Sequence, residues 1–274
     1  MRLPWKGAMP EFVHQIPVRD LALLCALGAV GATWVGILFL KPFLRLLVGG
    51  HADVNQVIGY ATSVFSLFYG LLIGLLAVAA YQNAERIEQA AFLEAARVGT
   101  LYGALHNYPE PLRGALREMV RDYVLHAIYE DWPRHRAGAV SQGGAHRTAA
   151  IQKRLAGFEP ATVAQEIVHR ETMRTFQEFL DARQRRLAGV LTRIPGVLWY
   201  AVAAGAVINI LLLIMLKIRP LPHLVLGGIT SFFLGVMLFV IIALDDPMRG
   251  AFGLQPDALE IVWRDQMRFD EPVF

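Results

Sequence analysis

Four long blocks of apolar residues, bounded by polar or charged positions, dominate the pattern along the chain. The first, Leu21 to Leu40, is twenty residues without a charge between Asp20 and Lys41. At about 1.5 Å rise per residue such a stretch crosses a hydrocarbon layer of about 30 Å. The second runs from Val57 to Tyr81, the third from Ile194 to Leu216 between Arg193 and Lys217, and the fourth from Leu224 to Leu244 between His223 and Asp245. Lipid offers backbone groups no hydrogen-bond partners, and no alternating strand pattern is present, so each block is read as a helix. The pattern predicts an all-α, polytopic membrane protein with four transmembrane helices and a helical cytoplasmic bundle between the second and third. The first block exceeds the apolar core of a secretory signal and follows Arg2, Lys6 and Arg19, which predicts a span that is retained.

Four spans place both termini and the long polar segment on one side and two short loops on the other. Near the membrane the first side carries Arg2, Lys6, Arg19, Arg86, Arg97, Arg174, Arg183, Arg185, Arg186, Arg193, Arg249 and Arg264. The loops carry Lys41, Arg45, Lys217 and Arg219. That excess predicts cytoplasmic termini, although the loop from Lys217 to His223 is densely basic for its size. The expected organisation is a cytoplasmic N-terminal segment over 1–20, helices one and two over 21–82, a cytoplasmic helical domain over 83–193, helices three and four over 194–244, and a cytoplasmic tail over 245–274.

Within the polar segment, Ile87, Ala91, Val98, Leu101 and Leu105 recur at helical spacing, so the second membrane helix is expected to continue to about residue 105. Leu112, Leu116, Met119 or Val120, and Tyr123 predict a helix from about Pro111 to Tyr129, ended by Trp132 and Pro133. Pro133 to Thr148, with Gly138, Gly143 and Gly144, reads as a surface loop. After Pro160 the apolar positions Val163, Ile167, Phe176, Leu180, Leu187 and Leu191 predict a long helix running without a breaker to Pro195. No internal repeat or low-complexity tract is present.

Composition narrows the function classes. Hydrophobic residues make up 55% and charged residues 18%, against about a quarter charged in soluble domains. Lysine plus arginine is 26 against 23 acidic residues, a net +3, too slight to propose nucleic-acid binding without a basic stripe. The single cysteine, Cys25, excludes an intrachain disulfide and a thiolate metal site. There is no nucleophile elbow, phosphate loop, dinucleotide fingerprint or zinc-type histidine pair, so no enzymatic activity is expected. His51 with Asp53 and His169 with Glu171 are lone pairs in polar settings; neither a metal nor a cofactor is assigned.

The second block holds the most informative chemistry. Thr62, Ser66, Gly70 and Gly74 lie four apart, with Gly59 and Ser63 beside them, forming a small, weakly polar stripe. One reading is close helix packing. The other is that copies of this helix surround an axis in an oligomer, with Thr62, Ser63, Ser66, Gly70 and Gly74 lining a pore and Phe65, Phe68 or Tyr69 gating it. No charge lies inside the four blocks, which favours passive flow over coupled transport. Asn209 is the strongest polar group at mid-depth in the third block and suits an interhelical hydrogen bond better than a pore. Lys41, Arg45, Lys217 and Arg219 would draw anions to the outer mouth, where Asp53 alone opposes them, and Glu85 with Glu88 would draw cations to the inner one. For both sets the alternative is ordinary interfacial charge.

Several ordered patterns resemble the bacterial bestrophin-like family of unknown function, named for a remote likeness to the bestrophin anion channels. They are Tyr81 with Glu94 and Ala95; Tyr123 with Glu130, Trp132 and Pro133; Asp181, Arg183, Arg185, Arg186 and Leu187 before Pro195 and Trp199; and Leu244, Asp245, Pro247, Arg249 and Gly250. The resemblance covers roughly 57–260. It implies a four-helix subunit in a bacterial inner membrane with cytoplasmic termini, assembling with copies of itself around a central pore, in a pentamer, and passing ions. Met248 stands where an aromatic residue is expected. The tail scatters Asp265, Asp270 and Glu271 where the bestrophin calcium clasp is densely acidic, so calcium gating is not expected. Asp245 at the end of the fourth block and Arg183, Arg185 and Arg186 before the third could pair, or the arginines could meet anionic headgroups. Two other readings stay open: a stator-type proton channel subunit, which shares the layout of spans, and a non-conducting signalling or scaffold protein.

Overall fold

The computed structural model describes residues 16–48, 52–137, 139–192, 194–248 and 253–268. Arg2, Lys6, Gly138, His51, Arg193, Arg249, Gly250, Asp270 and Glu271 lie outside the described residues, as do the side chains of Arg45, Asp53 and Leu191. All regular structure among the described residues is helical, with α1 at Val18–Val35, α2 at Lys41–Val48, α3 at Ala52–Ala104, α4 at Leu112–His126, α5 at Trp132–Arg136, α6 at Gly143–Ala156, α7 at Val163–Leu191, α8 at Gly196–Met215, α9 at Pro220–Asp245 and α10 at Asp257–Val262. Among the described residues four stretches are long and apolar enough to cross a membrane: Val18–Leu44, Val54–Asn107, Gly196–Met215 and Pro220–Asp245. The chain divides into two compact units, the first holding 16–83 and 194–246 of the described residues and the second 84–192 and 247–268.

In the first unit α1 lies against α9 through small residues. A Cβ at Gly235 would fall 2.4 Å from the Cys25 carbonyl oxygen and 2.7 Å from the Ala26 Cα, so the two backbones touch and only glycine fits. One turn away the Thr33 and Ser231 hydroxyls meet at 2.5 Å, and a further turn along Gly227 faces Thr33 and Ile37. The Gly227, Ser231 and Gly235 spacing is the small-xxx-small pattern that lets helices approach in lipid, where there is no hydrophobic force to drive them together. A π-helical turn, Gly36–Leu40, joins α1 to α2 and carries the helix one step past the expected end of the span, so that Lys41 is helical and buried. α3, α8 and α9 enclose a second apolar cluster of Tyr69, Ile73, Leu76, Val202, Leu234 and Ile241.

The second unit has a larger core. Ile87, Ala91, Ala95, Val98, Leu101 and Leu105 on α3 and the residue after it are all buried, as their helical spacing requires. They pack with Leu116, Val120, Tyr123 and Val124 from α4, Phe176 and Phe179 from α7, and Met248 and Leu259 beyond α9. Met248, which replaces the expected aromatic residue, is fully buried there.

Three expectations need correction. The helix beginning at α4 does not end at Trp132 and Pro133: a π turn, Ala127–Asp131, leads directly into α5. Pro133 is tolerated because it falls in the first turn of α5. Gly143 and Gly144 are not loop residues but open α6. α7 stops at Leu191, with Thr192 extended before Pro195 and α8, so the long helix is broken before the third span; its first apolar positions, Val163 and Ile167, are exposed.

Candidate functional site

Two places bring chemistry-bearing residues together, one in each unit. In the first unit the stripe on α3 divides. Thr62 and Ser63 turn their hydroxyls back to the carbonyls of Ile58 and Gly59, at 2.7 and 3.0 Å, the usual satisfaction of a hydroxyl within a helix. Ser66 donates to Asn209 Oδ1 at 2.7 Å, so Asn209 makes the interhelical bond its depth suits. Tyr69, expected as a gate, is buried; its hydroxyl donates to the Val202 carbonyl at 2.8 Å, and its ring lies over Gly205, where a Cβ would come within 2.2 Å of it. Tyr69 therefore packs within the first unit. Phe65 packs against the same cluster. Phe68 is exposed, with Tyr60, Val64, Leu67, Leu71 and Leu75. A Cβ added to Gly59, Gly70 or Gly74 would meet nothing within 4 Å, so these glycines are not used for packing within the chain.

The charges expected at the mouths fall differently. Lys41 is buried, its ammonium donating to the Ile218 carbonyl at 3.2 Å and contacting His223 Nδ1, so it is not an exposed mouth charge. Lys217 and Arg219 are exposed; the backbone N–H of Lys217 donates to Asn55 Oδ1 at 2.7 Å. Glu85 and Glu88 are exposed in the second unit, Glu85 accepting from Gln89 at 3.3 Å. Asp245 accepts from the Ile194 N–H at 2.8 Å, which holds the start of the third span to the end of the fourth.

In the second unit four of the residues that carried the family resemblance, Glu94, Tyr123, Trp132 and Arg186, converge on one buried network. Glu94 on α3 accepts from the Tyr123 hydroxyl at 2.5 Å and from the Arg186 guanidinium through Nε and, at 3.1 Å, through Nη2. Both Glu94 and Arg186 are fully buried. Arg186 also lies 5.1 Å from the Trp132 ring and donates through Nη1 to His135 Nδ1 at 2.9 Å. Trp132 Nε1–H donates to the Leu254 carbonyl at 2.7 Å, which ties the segment after α9 to the same network. A guanidinium only donates, so His135 Nδ1 must be bare and its ring neutral. Burial and the adjoining Arg186 push His135 down to about 4. Burial and then the Glu94 charge push the Tyr123 hydroxyl well up. Burial works against the charge of Arg186, but Glu94 outweighs it and Arg186 is held above its ordinary value.

Of the arginines expected near the third span, Arg186 binds Glu94 and Arg185 pairs with Asp181 at 2.8 Å. Arg183 is buried and approaches Asp131, whose carboxylate lies 3.2 Å from His126 Nε2. Gly143 and Gly144 close over this group. A Cβ on Gly144 would fall 2.5 Å from Asp131 Oδ2 and 2.8 Å from Arg183 Nη2, and one on Gly143 would fall 2.3 Å from His126 Nε2. Sequence reading missed His126, Asp131, His135 and these glycines, because glycines ahead of a polar helix carry the same signal as a loop. His169 and Glu171 do not meet as ligands: His169 bonds the Tyr108 hydroxyl at 2.7 Å and Glu171 pairs with Arg174. Among the described residues no group of three or more His, Cys, Asp or Glu is placed to hold a metal ion.

These features agree with what the chain is similar to. The sequence profile of the Bestrophin-like domain matches residues 28–259. A solved membrane protein carrying a proline-to-alanine substitution superposes with a TM-score of 0.61 at 12% identity, over 90% of this chain and 96% of that one. A bacterial bestrophin homologue from Klebsiella pneumoniae carrying a leucine-to-threonine substitution gives 0.59, also at 12% identity with the same coverage. At that identity the likeness concerns the fold. No functionally curated protein matches. The profile covers most of the chain, and among the described residues four helices are long and apolar enough to cross a membrane: the protein is a membrane protein that belongs to the bestrophin-like family.

Proposed function

We propose that the protein is the subunit of an oligomeric channel, in which copies of α3 surround a shared axis and ions flow passively through it. The observation that carries this reading is the uncovered face of α3. Gly59, Gly70 and Gly74 have open space where a Cβ would be, and Ser63, on the same face, is exposed. The unit's close packing is done by other glycines, Gly205, Gly227 and Gly235. A small-residue face left unused inside a subunit is available to line a path or to meet a second copy. Ser66 and Tyr69, bonded to α8, fix which face of α3 is left outward.

None of the three aromatic candidates gates this face: Phe65 and Tyr69 pack inward, and Phe68, exposed but two residues from Gly70, stands on another side of α3 at about 100° per residue. The resemblance favours five copies, with the termini cytoplasmic and the inner membrane as the setting. Lys217 and Arg219 would favour anions at one mouth and Glu85 and Glu88 cations at the other, so the preference assigned to anions is small. Purified protein in liposomes tests the proposal. Flux should fall with Ser63→Leu and with Gly70→Leu, each of which puts a large side chain on the open face. Unchanged flux in both variants of an active protein removes α3 as the path; no flux from the parent protein removes the channel and favours a scaffold. A reversal potential favouring cations assigns selectivity to Glu85 and Glu88.

A further inference from the structure

The polar cluster around Asp131 in the second unit is buried and short of partners. Arg183 on α7 is only 7% exposed and makes no hydrogen bond or ion pair among the described residues, its Nε being buried without a partner. Asp131, fully buried in the π turn before α5, has no hydrogen bond on either carboxylate oxygen and only His126 Nε2 beside it, at 3.2 Å. His135 accepts from Arg186 at Nδ1, so its Nε2 carries the ring hydrogen, and that atom too is buried without a partner. Folded interiors hold few such groups, and several in one place mark where a polar ligand bonds. Asp131 and Arg183 lie against the same glycine: a Cβ on Gly144 would fall 2.5 Å from Asp131 Oδ2 and 2.8 Å from Arg183 Nη2. They nevertheless form no ion pair within 4.0 Å, so they stand at a separation that one oxygen atom spans by hydrogen-bonding to both. Gly144 is in the first turn of α6, a helix of 14 residues with no side-chain cap. The Gly143 N–H donates to Ser141 Oγ and the His146 N–H to the Gln142 carbonyl, each at 3.1 Å, which leaves the N–H groups of Gly144 and Ala145 without a partner among the described residues. A whole guanidinium and a helix N-terminus, both of which favour negative charge, thus meet a single carboxylate.

We propose that Arg183, Asp131 and the N-terminus of α6 form a binding site for a small oxyanion that keeps one hydrogen, of the hydrogenphosphate or hydrogencarbonate kind. Its charged oxygens accept from Arg183 and from the Gly144 and Ala145 N–H groups, and its O–H donates to Asp131. The carboxylate is the selective element. An ionised carboxylate only accepts, so it bonds an anion that bears a hydrogen and repels one that bears none. A side chain on residue 144 would stand between Asp131 and Arg183, so the glycine keeps both within reach of the ligand. The neighbouring charges are already matched, Arg186 with Glu94 and Arg134 with Glu130. The site lies wholly within the second unit and binds whether or not the protein conducts.

Thermal unfolding of the full-length, detergent-solubilised protein tests it without a flux measurement, since a ligand bound only by the folded state raises the melting temperature. Inorganic phosphate is compared with sulfate, and hydrogencarbonate with formate, at pH 7.5 and equal ionic strength. Phosphate and sulfate both stabilise proteins by exclusion from their surface, and the comparison cancels that effect. Phosphate, hydrogencarbonate or both should give a melting temperature several degrees above that of the control anion, and whichever does so identifies the ligand. Arg183→Gln should abolish the difference. Asp131→Asn, which turns the acceptor into an amide that also donates, should let the control anion stabilise as well as its hydrogen-bearing counterpart. Equal melting temperatures within both pairs in the parent protein overturn the site and are the result that bridging waters alone would give. So does a difference that survives Arg183→Gln, or an unchanged preference in Asp131→Asn; the parent comparison decides by itself if a variant fails to fold.

Discussion

The two units of this chain are held together by different physics. In the first, helices approach until backbones touch at Gly235 and hydroxyls meet between Thr33 and Ser231, and the described charges lie near helix ends. In the second, a wide apolar core encloses an ion pair, Glu94 with Arg186, to which Tyr123 and His135 are hydrogen-bonded, with the Trp132 ring beside the guanidinium. Lipid is as apolar as leucine, so a unit built for it gains from shape and small residues. A unit built for water gains from burying apolar area and can enclose a charge pair that fixes one arrangement of its helices. Within the first unit the contrast repeats on a smaller scale: α9 spends its small-residue stripe on α1, while α3 leaves Gly70 and Gly74 open.

The comparison is broken most severely at Arg186. Arg186→Met leaves Glu94 buried without its cation, and unfolding of the detergent-solubilised protein should show a loss of about 3–5 kcal/mol. Adding Glu94→Leu should restore much of it, because the uncompensated charge is then gone.

The next effect is set by pH. Folding takes His135 from 6.5 down to about 4, so the folded chain binds fewer protons. Its contribution is complete above pH 6.5 and is lost as pH falls toward 4, at up to about 1.4 kcal/mol per pH unit. Subtracting the pH profile of His135→Gln should isolate this slope, and a flat difference would show a ring that is already protonated or solvated.

Smaller effects sharpen the contrast within the first unit. Gly235→Ala meets backbone on both sides and should cost about 1–3 kcal/mol; Gly70→Ala meets nothing and should change stability by less than about 1 kcal/mol. Asn209→Leu removes the bond from Ser66 and should cost about 0.6–1.7 kcal/mol, the range for polar contacts between helices in lipid. Equal losses at Gly235 and Gly70 would erase the distinction between the two stripes.

Length and periodicity made the four spans legible, and the spacing of Ile87 through Leu105 made the extension of α3 legible as well. What they could not show was how the same residue types are allotted. Gly227, Ser231 and Gly235 carry the same small-residue signal as the α3 stripe, and only packing distinguishes a stripe pressed on a neighbour from one left open. Lys41 read as a mouth charge because a lysine after an apolar run is usually solvated; its burial depends on a π turn at Gly36–Leu40 and on a histidine 182 residues away in sequence. Glu94, Tyr123, Trp132 and Arg186 were marked by resemblance, but their convergence is a tertiary fact that no local pattern contains.

The central claim is that α3 presents its open, small-residue face to a common axis. An image of the purified, detergent-solubilised or lipid-embedded protein resolves this directly. Rotational symmetry with Gly59, Ser63, Gly70 and Gly74 of every copy around a water-filled centre is the predicted result; a lone subunit, or an assembly in which that face meets lipid, contradicts it.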